Sequence, residues 1–204
     1  MFKNNLKIAW RNILKNKGIF SINIVGLALG IASCLIIMLF VIDELSYDRY
    51  NEKADQIVNV VFRAKVNGEE IKEGAVMAPV GQTLKQEFPE VLDATRIRNI
   101  GAPKIIVANQ SYREDSFAFV DDNFFNVFTL PIIEGDARNP LQEPNTALIT
   151  KAEAEKLFGA TNAIGKLFYI EGEEQPFRVT GVIDKVPQNS HFHFDIFASI
   201  KGLD

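Results

Sequence analysis

Residues 19–42 read IFSINIVGLALGIASCLIIMLFVI, and no Asp, Glu, Lys or Arg interrupts them. As a helix this stretch would be about 36 Å long, enough to cross a hydrocarbon layer of about 30 Å with some tilt. Its polar side chains, Ser21, Asn23, Ser33 and the thiol of Cys34, cost little to insert. A buried core helix is rarely apolar on every face for this length. A secretory leader has an apolar core of about 7–15 residues followed by a small-residue cleavage site. Here the run passes Ala32-Ser33 and continues to Asp43-Glu44. A transmembrane helix over 19–42 is the reading preferred to both.

Working outward, the charge is divided into blocks. Residues 1–18 carry Lys3, Lys7, Arg11, Lys15 and Lys17 and no acid. The whole chain of 204 residues has 22 bases and 26 acids, so beyond residue 42 the remaining 17 bases face all 26 acids, a balance of −9. Positive flanks stay in the cytoplasm, which places the N-terminus inside and residues 43–204 outside, in the periplasm of a Gram-negative cell. An outer segment this acidic repels nucleic acid and anionic lipid, so no nucleic-acid partner is expected. The single cysteine, Cys34, permits no intrachain disulfide.

Two features refine the membrane part. Lys3, Lys7, Arg11 and Lys15 recur every four residues and form an interfacial basic stripe. Phe2, Leu6, Ala9, Trp10, Ile13 and Leu14 occupy another face. The spacing predicts an amphipathic helix over 1–18 lying along the cytoplasmic leaflet and bending at Lys17-Gly18; a merely solvated positive flank is the alternative. Gly26 and Gly30 form a GxxxG that lets another membrane helix approach closely, against the alternative that glycine is simply frequent in such helices.

After a stalk at 43–56, alternating apolar residues predict a strand over 57–66 with Val58, Val60, Phe62, Ala64 and Val66 on a buried face. Asn67-Gly68 makes a hairpin, and 69–76 returns with Ile71 opposite Ala64. Pro79 opens a helix carrying Val80, Leu84 and Phe88, which Pro89 ends. Further strands are predicted over 95–100, 104–109 and 116–120. Asp121-Asp122 should cap a short helix bearing Phe124, Phe125 and Phe128. In TKAEAEKLFG, Thr150 caps, Glu153 closes a capping box and Gly159 stops the helix. Two last strands place Phe177, Val179 and Ile183 on one face, and Phe192, Phe194, Ile196 and Ile200 on another. Without a regular βαβ rhythm, the class is α+β: an amphipathic helix, one transmembrane helix, then a mixed extracytoplasmic domain with room for two subdomains.

Candidate chemistry is sparse. GATNAIGKL at 159–167 imitates a phosphate loop, but the spacing between Gly159 and Gly165 is one residue too long and Leu167 replaces the Ser/Thr. His191, His193 and Asp195 alternate and could form half a metal site, with no further histidine to complete it. No nucleophile has a base in a recognisable motif. Asn109-Gln110-Ser111 is a weak glycosylation sequon. No catalytic, cofactor-binding or metal residue is therefore expected, and the chain is not expected to be an enzyme.

Several stretches together resemble the MacB/FtsX-like permeases of ABC transporters. They are DELSYDRYNEKADQI (43–57), FVDDNFFNVFTLPIIEGD (119–136), NTALITKAEAEKLFG (145–159), AIGKLFYI (163–170) and FRVTGVIDKVPQNSHFHFD (177–195). The resemblance, in the form common in Bacteroidetes, implies a MacB-like periplasmic core domain over 57–204. It implies an inner-membrane permease subunit that works as a dimer of two permease copies in the lipid bilayer. A separate ABC ATPase subunit would drive export or mechanotransmission through the periplasmic domain, toward an adaptor or substrate protein. It assigns Lys3–Lys15 to a cytoplasmic elbow helix and Asp43–Asp55 to the stalk. Members of the family have at least three further helices after the outer domain, so the chain is expected to be the N-terminal part of a permease. The alternative function is a membrane-anchored sensor or binding module, whose outer domain would lead to a signalling domain instead.

Overall fold

The computed structural model describes residues 2–159 and 162–203, with the side chains of Phe2, Lys3, Leu6 and Ala9 outside the described set. It divides into two compact units, residues 1–47 and 48–204.

The first unit is helical. Helix α1 spans Phe2–Lys15 and α2 spans Lys17–Ser46. They break at Asn16, whose backbone leaves the helical region (φ −119°, ψ 47°), one residue before the bend expected at Lys17-Gly18. Helix α2 is long and apolar enough to cross a membrane, and no side chain on it is buried within the chain. It also runs four residues past Ile42, so the first part of the expected stalk is helix. Tyr47 then turns extended and ends it. Within α2 the Ser33 hydroxyl donates to the Leu29 carbonyl at 2.8 Å, which satisfies it without water.

The second unit is the sheet domain. Its strands are β1 Phe62–Val66, β2 Glu69–Glu73, β3 Ile97–Asn99, β4 Lys104–Val107, β5 Gln110–Arg113, β6 Phe117–Val120, β7 Ile132–Gly135, β8 Thr146–Thr150, β9 Leu167–Ile170, β10 Phe177–Ile183 and β11 Ile196–Ser199. Among the described residues three α-helices accompany them, α3 Val80–Glu87, α4 Phe124–Val127 and α5 Lys151–Phe158, with one turn of 3-10 helix at Ala54–Gln56. Nine strands form one mixed sheet in the order β3-β6-β11-β8-β10-β9-β4-β5, with β7 also on β10. The pairs β11–β6 and β10–β8 are parallel; the others are antiparallel.

The central strands are buried on both faces. Phe117 and Phe119 of β6, Ala147 and Ile149 of β8, and Ile196 and Ala198 of β11 join one core, which α5 covers with Ala154 and Leu157. The alternate residues Ala118, Val120, Leu148 and Phe197 join a second core with Phe124, Leu130 and Leu141. Side chains on successive strand residues point to opposite faces, so one sheet separates two apolar layers.

Four expectations about strands are corrected. Strand β1 begins at Phe62, not 57, and Val58, Val60, Phe62 and Val66 are exposed. The hairpin pairs only with itself, in the expected register of Ala64 with Ile71, so among the described residues no second layer covers it. In β10 a bulge between Val179 and Gly181 shifts the pleat. Phe177 and Val179 share a core with Val182, while Ile183 falls in the other. Strand β11 starts only at Ile196, so Phe192 and Phe194 pack in the opposite core from Ile196 and Ile200. Gly135, at φ +100°, allows β7 to pass close to β10: a Cβ there would lie 2.3 Å from the Thr180 carbonyl oxygen.

Two caps also differ. Asn123 holds the N-cap position of α4, and the Asp121 carboxylate instead takes a forked ion pair from Arg96, Nη2–Oδ1 2.8 Å. The Thr150 hydroxyl does accept from the Glu153 backbone N–H at 3.2 Å, and Gly159 closes α5 at φ +64°. The capping box does not form, because the Thr150 N–H donates to the Asp195 carbonyl at 2.8 Å. That leaves the Glu153 carboxyl free to turn inward.

Candidate functional site

The segment Asp48–Lys53 begins two residues after α2 ends, and the sheet domain holds it by a dense set of polar contacts. Asp48 adopts a left-handed backbone (φ 56°), which Asp tolerates better than most residues. Its N–H donates to the Asn189 carbonyl at 2.8 Å. Its carboxylate accepts the His191 backbone N–H at 3.1 Å and lies 2.6 Å from His191 Nδ1. Tyr50 Oη and the buried Ser190 Oγ are 3.0 Å apart. Burial pushes the Tyr50 phenol above its ordinary value, so it stays neutral.

Asn51 is the centre of the attachment. It is 4% exposed, its Oδ1 accepts the Thr129 N–H at 2.9 Å, and its Nδ2 donates to the Asp48 carbonyl at 3.0 Å. The Glu52 N–H donates to Thr129 Oγ1 at 3.0 Å, and Lys53 Nζ to the Asn126 carbonyl at 2.7 Å. Two separate stretches, 126–129 at the end of α4 and the loop 189–191, thus grip one short segment.

Both stretches rest on an aromatic floor. Phe124 is fully buried, with ring centroids of Phe128, Phe192 and Phe197 at 4.8, 5.6 and 5.4 Å. Phe194 lies 6.0 Å from Phe197, edge to face, and Tyr50 packs against the same core. Rings in such arrangements resist displacement. The arrangement can hold a short segment firmly against the sheet domain.

The residues singled out from sequence fall elsewhere. Gly26 and Gly30 lie on α2 with open space where a Cβ would stand. Lys7, Arg11 and Lys15 are exposed on α1, and the side chain of Lys3 lies outside the described residues. His191, His193 and Asp195 do not converge: no strand forms there, His191 turns to Asp48, and Asp195 accepts from the Thr150 hydroxyl at 2.9 Å. Among the described residues no group of three His, Cys, Asp or Glu could hold a metal.

In the phosphate-loop imitation, residues 160–161 lie outside the described residues. The Gly165 N–H donates to the Val179 carbonyl at 2.8 Å and the Lys166 N–H to the Ala163 carbonyl at 3.1 Å, so those donors are spent within the fold. The junction contacts were missed in the sequence because their partners are 73 to 143 residues apart. Only the DRYN run beside the apolar block pointed there.

Comparison with known proteins places these features in a family. The family model described as the MacB-like periplasmic core domain matches residues 20–203. Among solved structures, a domain described as part of a permease of Porphyromonas gingivalis is 26% identical. It aligns over 65% of this chain and 56% of its own, with a TM-score of 0.56. The periplasmic region of MacB from Actinobacillus actinomycetemcomitans is 18% identical over 58% of this chain and 52% of its own, TM-score 0.41. The extracellular domain of the ABC-type transporter YknZ from Gram-positive bacteria is 19% identical over 53% and 54%, TM-score 0.39. The chain thus spans about half the length of the solved structures it matches. Comparison with curated proteins gave no match.

Proposed function

The chain belongs to the MacB-like periplasmic core domain family, and from that membership we propose that it acts as a permease subunit of an ABC transporter. In this reading α2 spans the inner membrane with the N-terminus in the cytoplasm, and the sheet domain stands in the periplasm. A separate ATPase hydrolyses ATP, and the chain couples that work to the periplasmic domain for export or mechanotransmission. The observation that carries the reading is the extent of the family match, which begins within α2 and runs through the last strand.

Three features support the details. The +5 flank and the −9 remainder favour the cytoplasmic N-terminus. The stripe of Lys3, Lys7, Arg11 and Lys15 suits anionic headgroups, and the open Gly26–Gly30 face suits a neighbouring helix or a second permease copy. The grip of the two stretches on Asp48–Lys53 gives motion of the connecting segment a stiff attachment within the sheet domain.

Topology and coupling are tested separately. In a Cys34→Ala background, Glu174→Cys should react with an impermeant maleimide once the outer membrane is opened, and Lys7→Cys only after the inner membrane is breached. The reverse pattern overturns the orientation. In vesicles reconstituted with its ATPase, the chain should raise ATP turnover; turnover indifferent to its presence overturns the coupling role.

A further inference from the structure

Glu114 and Glu153 are the acids that the fold buries most completely, each 3% exposed. Glu114 lies in the turn between β5 and β6, and Glu153 in the first turn of α5. Lys156 Nζ reaches both: Oε2 of Glu114 at 2.5 Å and Oε2 of Glu153 at 3.0 Å. Glu114 Oε1 accepts the Ser116 N–H at 3.0 Å. Glu153 Oε1 is buried with no hydrogen-bond partner.

Charge and hydrogen-bond accounting give the same answer. Two buried carboxylates facing one half-exposed ammonium leave excess negative charge on groups removed from water, which is costly. One proton from solvent, converting one carboxylate to a carboxylic acid, makes the trio neutral. It also places a hydrogen on the Glu153 carboxyl, whose Oε1 is buried without a partner. The other charged groups on the neighbouring elements are engaged elsewhere or face solvent. Lys151 and Glu155 on α5 face solvent, Arg113 pairs with Asp115, and Arg178 of β10 pairs with Glu143. Asp195 is engaged with Thr150, and β8 carries no charged side chain.

We propose that Glu153 holds a proton in the folded domain, and that this proton, with Lys156 reaching both Glu153 and Glu114, clasps α5 to the β5–β6 turn and makes the sheet domain responsive to the pH around it. Burial, and next the charge and hydrogen bonding of Glu114, push the Glu153 carboxyl up to about 7, against the opposing pull of Lys156. The folded value lies above the ordinary 4.5. The stabilisation is therefore complete below about pH 4.5 and is lost as pH rises through about 7. Above neutrality the clasp is weakened, and α5 is held by apolar contacts and the Thr150 cap.

The test is equilibrium urea unfolding of the full chain in lipid nanodiscs, followed by circular dichroism between about pH 5 and 8. In the wild type the folding constant should fall by up to about tenfold per pH unit below neutrality, the limit for one proton. In Glu153→Gln, a neutral isostere, that slope should vanish. The wild-type slope persisting in Glu153→Gln overturns the proposal. Should the variant not fold, infrared spectroscopy of the wild type decides: a protonated-carboxyl band that fades as pH passes neutrality supports the proton on Glu153. No such band at about pH 6 overturns it.

Discussion

Replacing Asn51 by alanine tests whether the junction is held as described. The substitution removes two hydrogen bonds at once, from the Thr129 N–H at 2.9 Å and to the Asp48 carbonyl at 3.0 Å. A typical intramolecular hydrogen bond contributes about 1 kcal/mol net, and a donor left without a partner costs about 1–3 kcal/mol. Thr129 is half-buried, so water reaches it in part and the lower end applies. Asn51→Ala should therefore destabilise the sheet domain by about 2–3 kcal/mol. The control is Arg49→Ala, which breaks the 3.0 Å ion pair with Asp55; those side chains are 65% and 88% exposed. Exposed pairs contribute about 0–1 kcal/mol, so the control should stay near wild type. Both variants are compared by urea unfolding and by hydrogen exchange at the Thr129 amide, which should lose protection in Asn51→Ala alone. An Asn51→Ala variant within about 0.5 kcal/mol of wild type, or one no worse than Arg49→Ala, would refute the account of the grip.

Three further outcomes follow from geometry. Gly135→Ala should destabilise by more than about 3 kcal/mol, because the new Cβ meets the Thr180 carbonyl oxygen at 2.3 Å in a left-handed backbone; a normal yield with an unchanged unfolding midpoint contradicts it. Phe124→Ala should cost about 3–5 kcal/mol, since the ring is fully buried among Phe128, Phe192 and Phe197; calorimetry should show a lowered transition. Gly30→Leu should leave the unfolding of the sheet domain unchanged, because its Cβ site is open. It should reduce helix association measured by energy transfer in bilayers, and unaltered association removes the helix-packing role.

Local signals in the chain predicted elements well where they were self-sufficient. Asn67-Gly68 set the β1–β2 register, and Thr150 and Gly159 marked both ends of α5. The short helix of phenylalanines was visible from Phe124, Phe125 and Phe128, although its cap was not. Strand β8 was missed for a physical reason. TALIT is buried at all five positions, so it shows none of the alternation that marks a half-exposed strand. The opposite error occurred at Val58 and Val60, where alternation was present and both side chains are exposed.

The same division runs through the sites. Composition by itself determined that residues 19–42 are an apolar helix of membrane length and that charge changes sign across it, because both properties are sums over neighbouring residues. Tertiary structure alone decided the rest. Whether Glu153 caps its helix or turns inward depends on the Asp195 carbonyl, which occupies the N–H that the capping box required. Whether His191 faces a metal or a carboxylate depends on Asp48, 143 residues earlier. Such outcomes depend on which distant donor reaches a buried group first, and no local pattern carries that information.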